Sequence, residues 1–234
     1  MAPAAFSIRM FCTLGLRGVM TELTPALARR GLDFTPIYGA TSLMLQRMAQ
    51  GETADVAILT DAAIADLIEQ GTITAGSRRD LARSAIGIAV AAGAARPYFR
   101  TAETFKQTML AARSIAYSKS GASGLHFAAL IKRLGIADEV NRKARVIDGV
   151  VGELVAREEV DLAVQQISEL KLVPGIEIVG ALPDELQKIT TFSAGIFAAT
   201  TRPAAARLLI SALATPEVAA VMRKQGMEPV AAVR

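Results

Sequence analysis

Short apolar runs alternate with longer stretches in which apolar residues recur every three or four positions. Residues 8–12 predict a strand, and Leu16, Val19, Leu23, Ala26 and Leu27 then share one face of a helix that Gly31 ends. Residues 34–38 predict a second strand, 43–49 a second helix stopped by Gly51, 56–59 a third strand, and 62–69 a third helix stopped by Gly71. This β-α-β-α-β-α order belongs to an open parallel sheet with helices on its faces.

Beyond residue 84 the pattern continues with less regularity. Strands are expected at 86–91, 114–117, 162–165, 176–179 and 191–199, and helices at 101–112, 124–134 and 152–157. On the helix at 124–134, Phe127, Leu130, Ile131 and Leu134 share a face. Two terminal helices open at Thr201-Arg202-Pro203 and at Thr215-Pro216, the latter with Thr as N-cap and Pro in the first helical position. The long strands near 84–91 and 191–199 are expected to cross between two lobes, lobe I comprising 1–83 plus 200–234 and lobe II 84–199. Two crossings allow the lobes to close while keeping their register. The fold class is α/β, with two lobes, each a mixed sheet flanked by helices, and a ligand cleft between them.

Composition narrows the partners. The 234 residues are 52% hydrophobic and 21% charged, enough for a sizeable core and too apolar for disorder. With no Trp and only 5% aromatic residues, that core must be built from Ala, Val, Leu, Ile and Met. The net charge of +4 is scattered over pairs such as Arg29-Arg30, Arg78-Arg79 and Lys132-Arg133, with no aromatic residues interleaved. A mildly basic surface of this kind favours small anions and excludes a nucleic-acid footprint. The lone cysteine, Cys12, excludes an intrachain disulfide, and no apolar run approaches the ~18 residues of a membrane span. Met1-Ala2-Pro3 leads into Ser7 without a basic segment and an apolar stretch. That fits a cytoplasmic chain, or a periplasmic one whose signal peptide has been replaced by a start Met. No His, Cys and carboxylate cluster has metal-ligand spacing, so neither metal nor cofactor is expected.

Three loops join an apolar strand to a helix and carry small or hydroxyl residues at the junction: Cys12-Thr13-Leu14-Gly15, Gly39-Ala40-Thr41-Ser42 and Ser118-Lys119-Ser120-Gly121-Ala122-Ser123-Gly124. Helix N-termini expose unpaired N–H groups and a partial positive charge, hydroxyls add donors, and glycine lets a ligand approach the backbone. Together they would form an anion cradle without a formal charge. Ordinary N-capping explains any one of them alone.

These loops, with Gln46-Arg47-Met48-Ala49-Gln50-Gly51, Ala54-Asp55-Val56-Ala57-Ile58, Leu134-Gly135 and Gly226-Met227-Glu228-Pro229, resemble the periplasmic molybdate-binding proteins of ABC importers, which have the type 2 periplasmic binding fold. The resemblance runs in order along nearly the whole chain. It implies a substrate-binding protein, an ABC importer permease as partner, and an oxyanion held by hydroxyls and main-chain amides. Carried over by position, the ligand-binding residues are Thr13, Leu14, Gly15, Thr41, Ser42, Ser123 and an amide at Gly149 or Val150, with Gln165 where the family has a tyrosine. Two departures stand out. Gly15 occupies a position where a hydroxyl is typical, and Gln165 brings a long amide that both donates and accepts. An organic carboxylate suits this set better than molybdate, and Arg83-Ser84 could supply a bidentate partner for it.

The scaffold also resembles aconitate isomerase, which interconverts cis- and trans-aconitate. An enzyme of that type needs a proton carrier, for which the sequence offers His126, Ser123 and Lys119 without fixing a catalytic residue. Gly121-Ala122-Ser123-Gly124 is not the G-x-S-x-G of a hydrolase, and Asp55 and Asp61 flank a strand without a second carboxylate set to act with them. Cys12 reads most simply as a small buried residue.

Overall fold

The computed structural model describes residues 7–230. Residues 1–6, on which the expectation about the N-terminus falls, and 231–234 lie outside the described residues. In chain order the elements begin with β1 (Ile8–Thr13), α1 (Arg17–Ala28), β2 (Phe34–Gly39), α2 (Thr41–Ala49), β3 (Val56–Thr60), α3 (Asp61–Glu69), β4 (Arg79–Ser84) and β5 (Ile86–Ala91). There follow α4 (Ala102–Ala111), β6 (Ile115–Ser118), α5 (Ala122–Arg133), α6 (Ala137–Asn141), β7 (Ala144–Ile147), α7 (Gly152–Ala156), β8 (Leu162–Gln166) and α8 (Ile167–Leu170). The last are β9 (Ile176–Ala181), β10 (Thr190–Ile196), α9 (Pro203–Ala212), α10 (Pro216–Lys224) and β11 (Glu228–Pro229).

The described chain divides into two compact units, one of residues 7–83 and 190–230 and the other of Ser84–Ile189. The first holds a six-stranded sheet ordered β11-β4-β10-β3-β1-β2. β1 pairs in parallel with β2 and β3, while β10 runs antiparallel to β3. Both faces of this sheet are covered. Met10, Cys12, Val56 and Ile58 pack with Val19 and Leu23 of α1 on one side, and Phe11, Ala57 and Leu59 with Ile64 and Leu67 of α3 on the other. The period-two alternation along β1 and β3 divides their apolar residues between two cores.

The second unit holds a five-stranded sheet ordered β7-β6-β8-β5-β9. β6 is parallel to β7 and β8, and β5 is antiparallel to β8 and β9. Large side chains on one face (Ile88, Ile115, Tyr117, Val164) pack with Phe105 and Phe127 from α4 and α5. On the other face, Ala89, Ala116 and Ala163 let α7 approach through Val151, Leu154 and Val155. Among the described residues no single helix is long and apolar enough to cross a membrane.

Two expectations are corrected. Residues 190–199 belong to the first unit, not to lobe II, because β10 hydrogen-bonds along β3 from Phe192↔Thr60 to Ile196↔Val56. Neither long strand crosses: β5 lies wholly in the second sheet and β10 wholly in the first, so the chain changes unit in the short segments around Ser84 and Thr190. The strand expected at 191–199 ends at Ile196, and β4, α6, β7, α8 and β11 were not anticipated. β4 carries Arg79, Asp80, Arg83 and Ser84 among only two apolar residues, which hides it from a search for apolar runs.

Candidate functional site

In the first unit the parallel strands β1, β2 and β3 each run directly into a helical start. Thr13 ends β1 and caps the 3-10 turn Leu14–Leu16, its Oγ1 accepting from the Gly15 N–H at 3.4 Å. Thr41 opens α2 after the extended Ala40, and its Oγ1 accepts from the N–H of Thr60, the last residue of β3, at 3.4 Å. The pairing Thr13↔Gly39 sets the first two junctions side by side. Thr13, Leu14, Gly15, Thr41 and Ser42 therefore gather at the carboxyl end of the parallel strands, where open α/β sheets bind ligands.

Gly15 has a packing reason that its sequence position did not disclose. A Cβ there would stand 2.8 Å from Cζ of Phe192, a side chain only 2% exposed on β10. The ring fills the space that a hydroxyl side chain would need. Gly15→Ser is accordingly expected to destabilise the protein by roughly 1–3 kcal/mol through overpacking, as read from urea unfolding. A variant as stable as the parent would mean that the Phe192 ring yields freely.

In the second unit the carboxyl ends of β6, β7 and β8 also lead into helices. Ser118 Oγ accepts from the Gly121 N–H at 2.9 Å, closing the loop before α5. α5 then passes so near the end of β6 that a Cβ on Gly124 would lie 1.7 Å from the Ser118 carbonyl oxygen. Ser123, in the first turn of α5, is 1% exposed, and its Oγ has no hydrogen-bond partner among the described residues. Such an orphan is uncommon, because a buried hydroxyl without a partner costs about 1–3 kcal/mol. The loop from β7 to α7 turns at Gly149, whose φ of 96° suits only glycine, and continues through the buried Val150.

Gln165 is fully buried and ties that loop to β8. Its Nε2 donates to the Gly149 carbonyl and its Oε1 accepts from the Val151 N–H, both at 2.9 Å. Both ends of the amide are thus engaged by the 149–151 backbone. Ser84 is also buried, and the pairing Ile86↔Gln166 brings the start of β5 beside the end of β8. Its Oγ accepts from the Ser168 N–H at 3.4 Å. Arg83 is exposed on β4 opposite Glu228.

The residues that sequence reasoning passed over lie in α8. Ser168 is 1% exposed and its Oγ, like that of Ser123, has no partner among the described residues. Glu169 is 8% exposed, and burial pushes its carboxyl up to about 7, against the smaller opposing effect of a hydrogen bond from Gln165. A carboxyl whose folded pKa exceeds its unfolded value stabilises the fold in its protonated form. That contribution is complete below about 4.5 and is lost as the pH rises through about 7. Glu169→Gln should therefore leave stability nearly unchanged at pH 4.5 and raise it at pH 8 by on the order of 2–3 kcal/mol. Urea unfolding of both proteins at the two pH values checks this, and equal differences at both would contradict it.

The remaining candidates are accounted for by local structure. His126 Nε2 donates to the Leu186 carbonyl at 2.9 Å. Lys119 is exposed, and its backbone N–H donates to Ile147 at 2.8 Å. Burial raises the Cys12 thiol far above its ordinary range, which makes it an inert core residue. Asp55 ties β1 to the segment after β10, accepting from the Arg9 N–H at 2.9 Å and from Thr200 Oγ1 at 2.6 Å.

Known proteins give this geometry a context. Residues 8–228 match the family described as bacterial extracellular solute-binding protein. The chain is 38% identical over 226 residues to an aconitate isomerase from Pseudomonas sp., covering 93% of this chain and 86% of that protein. Among solved structures, the periplasmic molybdate-binding protein of Azotobacter vinelandii superposes with a TM-score of 0.81 at 18% identity, over 97% of this chain and 100% of that one. The sulfate-binding protein of Mycobacterium tuberculosis H37Rv does so with a TM-score of 0.71 at 16% identity, over 96% and 87%. The two mixed sheets flanked by helices are those of the type 2 periplasmic binding fold, and the chain belongs to the bacterial extracellular solute-binding protein family.

Proposed function

We propose that this chain binds a small organic polycarboxylate and interconverts the cis and trans forms of an unsaturated tricarboxylate of the aconitate type. The observation that carries this reading is the 38% identity to aconitate isomerase over 93% of the chain. The site chemistry supports it. In the first unit, the hydroxyls of Thr13, Thr41 and Ser42 and the backbone at Leu14 and Gly15 offer donors to carboxylate oxygens. In the second, Ser84, the orphaned Ser123 hydroxyl and the backbone at Gly149 and Val150 do the same, with Gln165 holding the loop in place. Arg83 is the candidate for a charge-assisted contact with one carboxylate.

A second reading is favoured by the family itself: a periplasmic binding protein that hands an organic anion to an ABC importer permease without altering it. One experiment separates the two. The protein is screened by thermal unfolding against aconitate, citrate, sulfate and molybdate, then incubated with trans-aconitate while the cis isomer is followed by proton NMR. A ligand at a hundred times its Kd stabilises the protein by about 2.7 kcal/mol. Stabilisation by aconitate together with turnover supports the isomerase. Stabilisation by carboxylates without turnover supports the transport reading, and stabilisation by molybdate or sulfate alone overturns both.

A further inference from the structure

Interconverting the two isomers requires the C=C bond to lose its double-bond character. A substrate with a methylene group between a carboxylate and the C=C bond offers a direct route. A base takes one methylene proton, and the C–H electron pair spreads over three carbons and the adjoining carboxylate. Returning a proton to the former vinyl carbon shifts the double bond and resets its geometry. One C–H bond breaks and one forms, no net proton is gained or lost, and neither oxidant nor second reactant is needed. The protein must supply one group that is a base in the first half and an acid in the second.

The titratable groups at the carboxyl ends of the parallel strands can be compared one by one. In the first unit, burial raises the Cys12 thiol and the Tyr38 phenol, so neither is a base near neutral pH, and Asp61, which opens α3, lies in the field of the Arg78 cation. In the second, His126 is held by the Leu186 carbonyl, Asp148 accepts a hydrogen bond from Ser120, and Lys119 is exposed to solvent. Glu169 is different. It is buried and forms no ion pair among the described residues; the side-chain hydrogen bond acting on its carboxyl comes from Gln165. Gln165 in turn grips the 149–151 loop. The neighbouring Ser168 has an unpartnered buried hydroxyl and an N–H directed to Ser84 Oγ.

Among the described residues, no charged side chain acts on the Glu169 carboxyl. α8 packs on β5, β8 and β9, seated closely because a Cβ on Gly87 would meet Ile167 Cγ1 at 2.7 Å, and its Leu170 packs with Leu154 and Val155 of α7, whose exposed Glu153 pairs with Arg157 at 3.7 Å. β5 and β8 carry no charged side chain, and Glu177 of β9 accepts from the Gly93 N–H. Lys171, just past α8, is exposed.

Resting on the isomerase reading, we propose that Glu169 is the group that takes the methylene proton and returns it to the vinyl carbon. A buried carboxyl balanced between its two forms near pH 7 suits both halves of the reaction. The hydroxyls of Ser168 and Ser123 supply donors to the charge that develops on the substrate carboxylate.

The test compares the parent protein with Glu169→Gln and Glu169→Asp, using trans-aconitate in D2O and proton NMR. Glu169→Gln should lose at least a hundredfold in kcat, keep KM within about threefold, and no longer incorporate deuterium into the substrate. Glu169→Asp should retain measurable turnover with the acidic limb of its pH profile displaced. Should the Gln variant unfold, the Asp variant carries the test, because an unshifted profile there overturns the proposal. A Gln variant within about fivefold of the parent kcat, or one losing activity only through KM, also overturns it. An inactive parent protein would defeat the isomerase reading and this assignment together. An active parent with an active Gln variant would defeat the assignment alone.

Discussion

Gly124→Ala is expected to destabilise the protein by about 4 kcal/mol or more, among the largest effects of a single methyl group. The added Cβ would lie 1.7 Å from the Ser118 carbonyl oxygen and 2.5 Å from its carbon. Both are backbone atoms at the end of β6, held by pairing to β7 and β8. No rotamer relieves the contact, so α5 must lift from the sheet and carry Ser123 with it. Phe127, Leu130 and Ile131 would then leave their places in the core of the second unit. Gly121→Ala is the milder comparison, since its Cβ would meet the Ser118 side-chain oxygen at 2.7 Å, and that hydroxyl can rotate at the loss of its hydrogen bond from the Gly121 N–H. Thermal and urea unfolding of the two variants check the contrast. A loss below about 1 kcal/mol for Gly124→Ala would mean that α5 sits farther from β6 than described.

Gln165→Leu is expected to cost roughly 2–4 kcal/mol and to weaken carboxylate binding by tenfold or more. The leucine fits the buried volume but leaves the Gly149 carbonyl and the Val151 N–H without their 2.9 Å partners. It also removes the hydrogen bond that draws the Glu169 carboxyl downward, so that group should titrate higher still. The loop that turns at Gly149 would lose its anchor to β8, and the amides proposed to meet the ligand would lose their fixed aim. The ligand-dependent rise in melting temperature, measured with aconitate, reports the second effect separately from the first. Undiminished binding in a destabilised variant would confine Gln165 to the fold and remove the 149–151 loop from the proposed site.

The alternation of apolar runs and helical periodicity made the first unit legible from β1 to α3, because each strand there is short and mostly apolar and each helix ends near a glycine such as Gly31, at φ 73°. Thr215 capping α10, by accepting from the Val218 N–H, was equally legible, since a capping hydroxyl acts on residues close in sequence. β4 and α8 were not. β4 is a charged strand stabilised by its neighbours β10 and β11, which come more than a hundred residues later in the sequence. α8 is one short turn pressed on β5 across the open face of Gly87.

The candidate site divides along the same line. Its hydroxyl loops could be located in the sequence because a strand-to-helix junction is a local event, with the strand pattern, the small residues and the helix start all within a few positions. What each residue does there depends on partners the sequence does not name. Phe192 accounts for Gly15, and the 149–151 backbone engages the amide of Gln165. Glu169 looks in the sequence like any solvated helix carboxylate. Its character comes from burial and from the absence, among the described residues, of a cation acting on it, both properties of packing. The order of strands and helices and the hydroxyl-rich junctions were set by short-range periodicity and capping chemistry. The unit boundary at Thr190, the fit at Gly15 and Gly124 and the protonation of Glu169 were decided by contacts between residues far apart in the chain, which only the tertiary structure brings within van der Waals and hydrogen-bonding range.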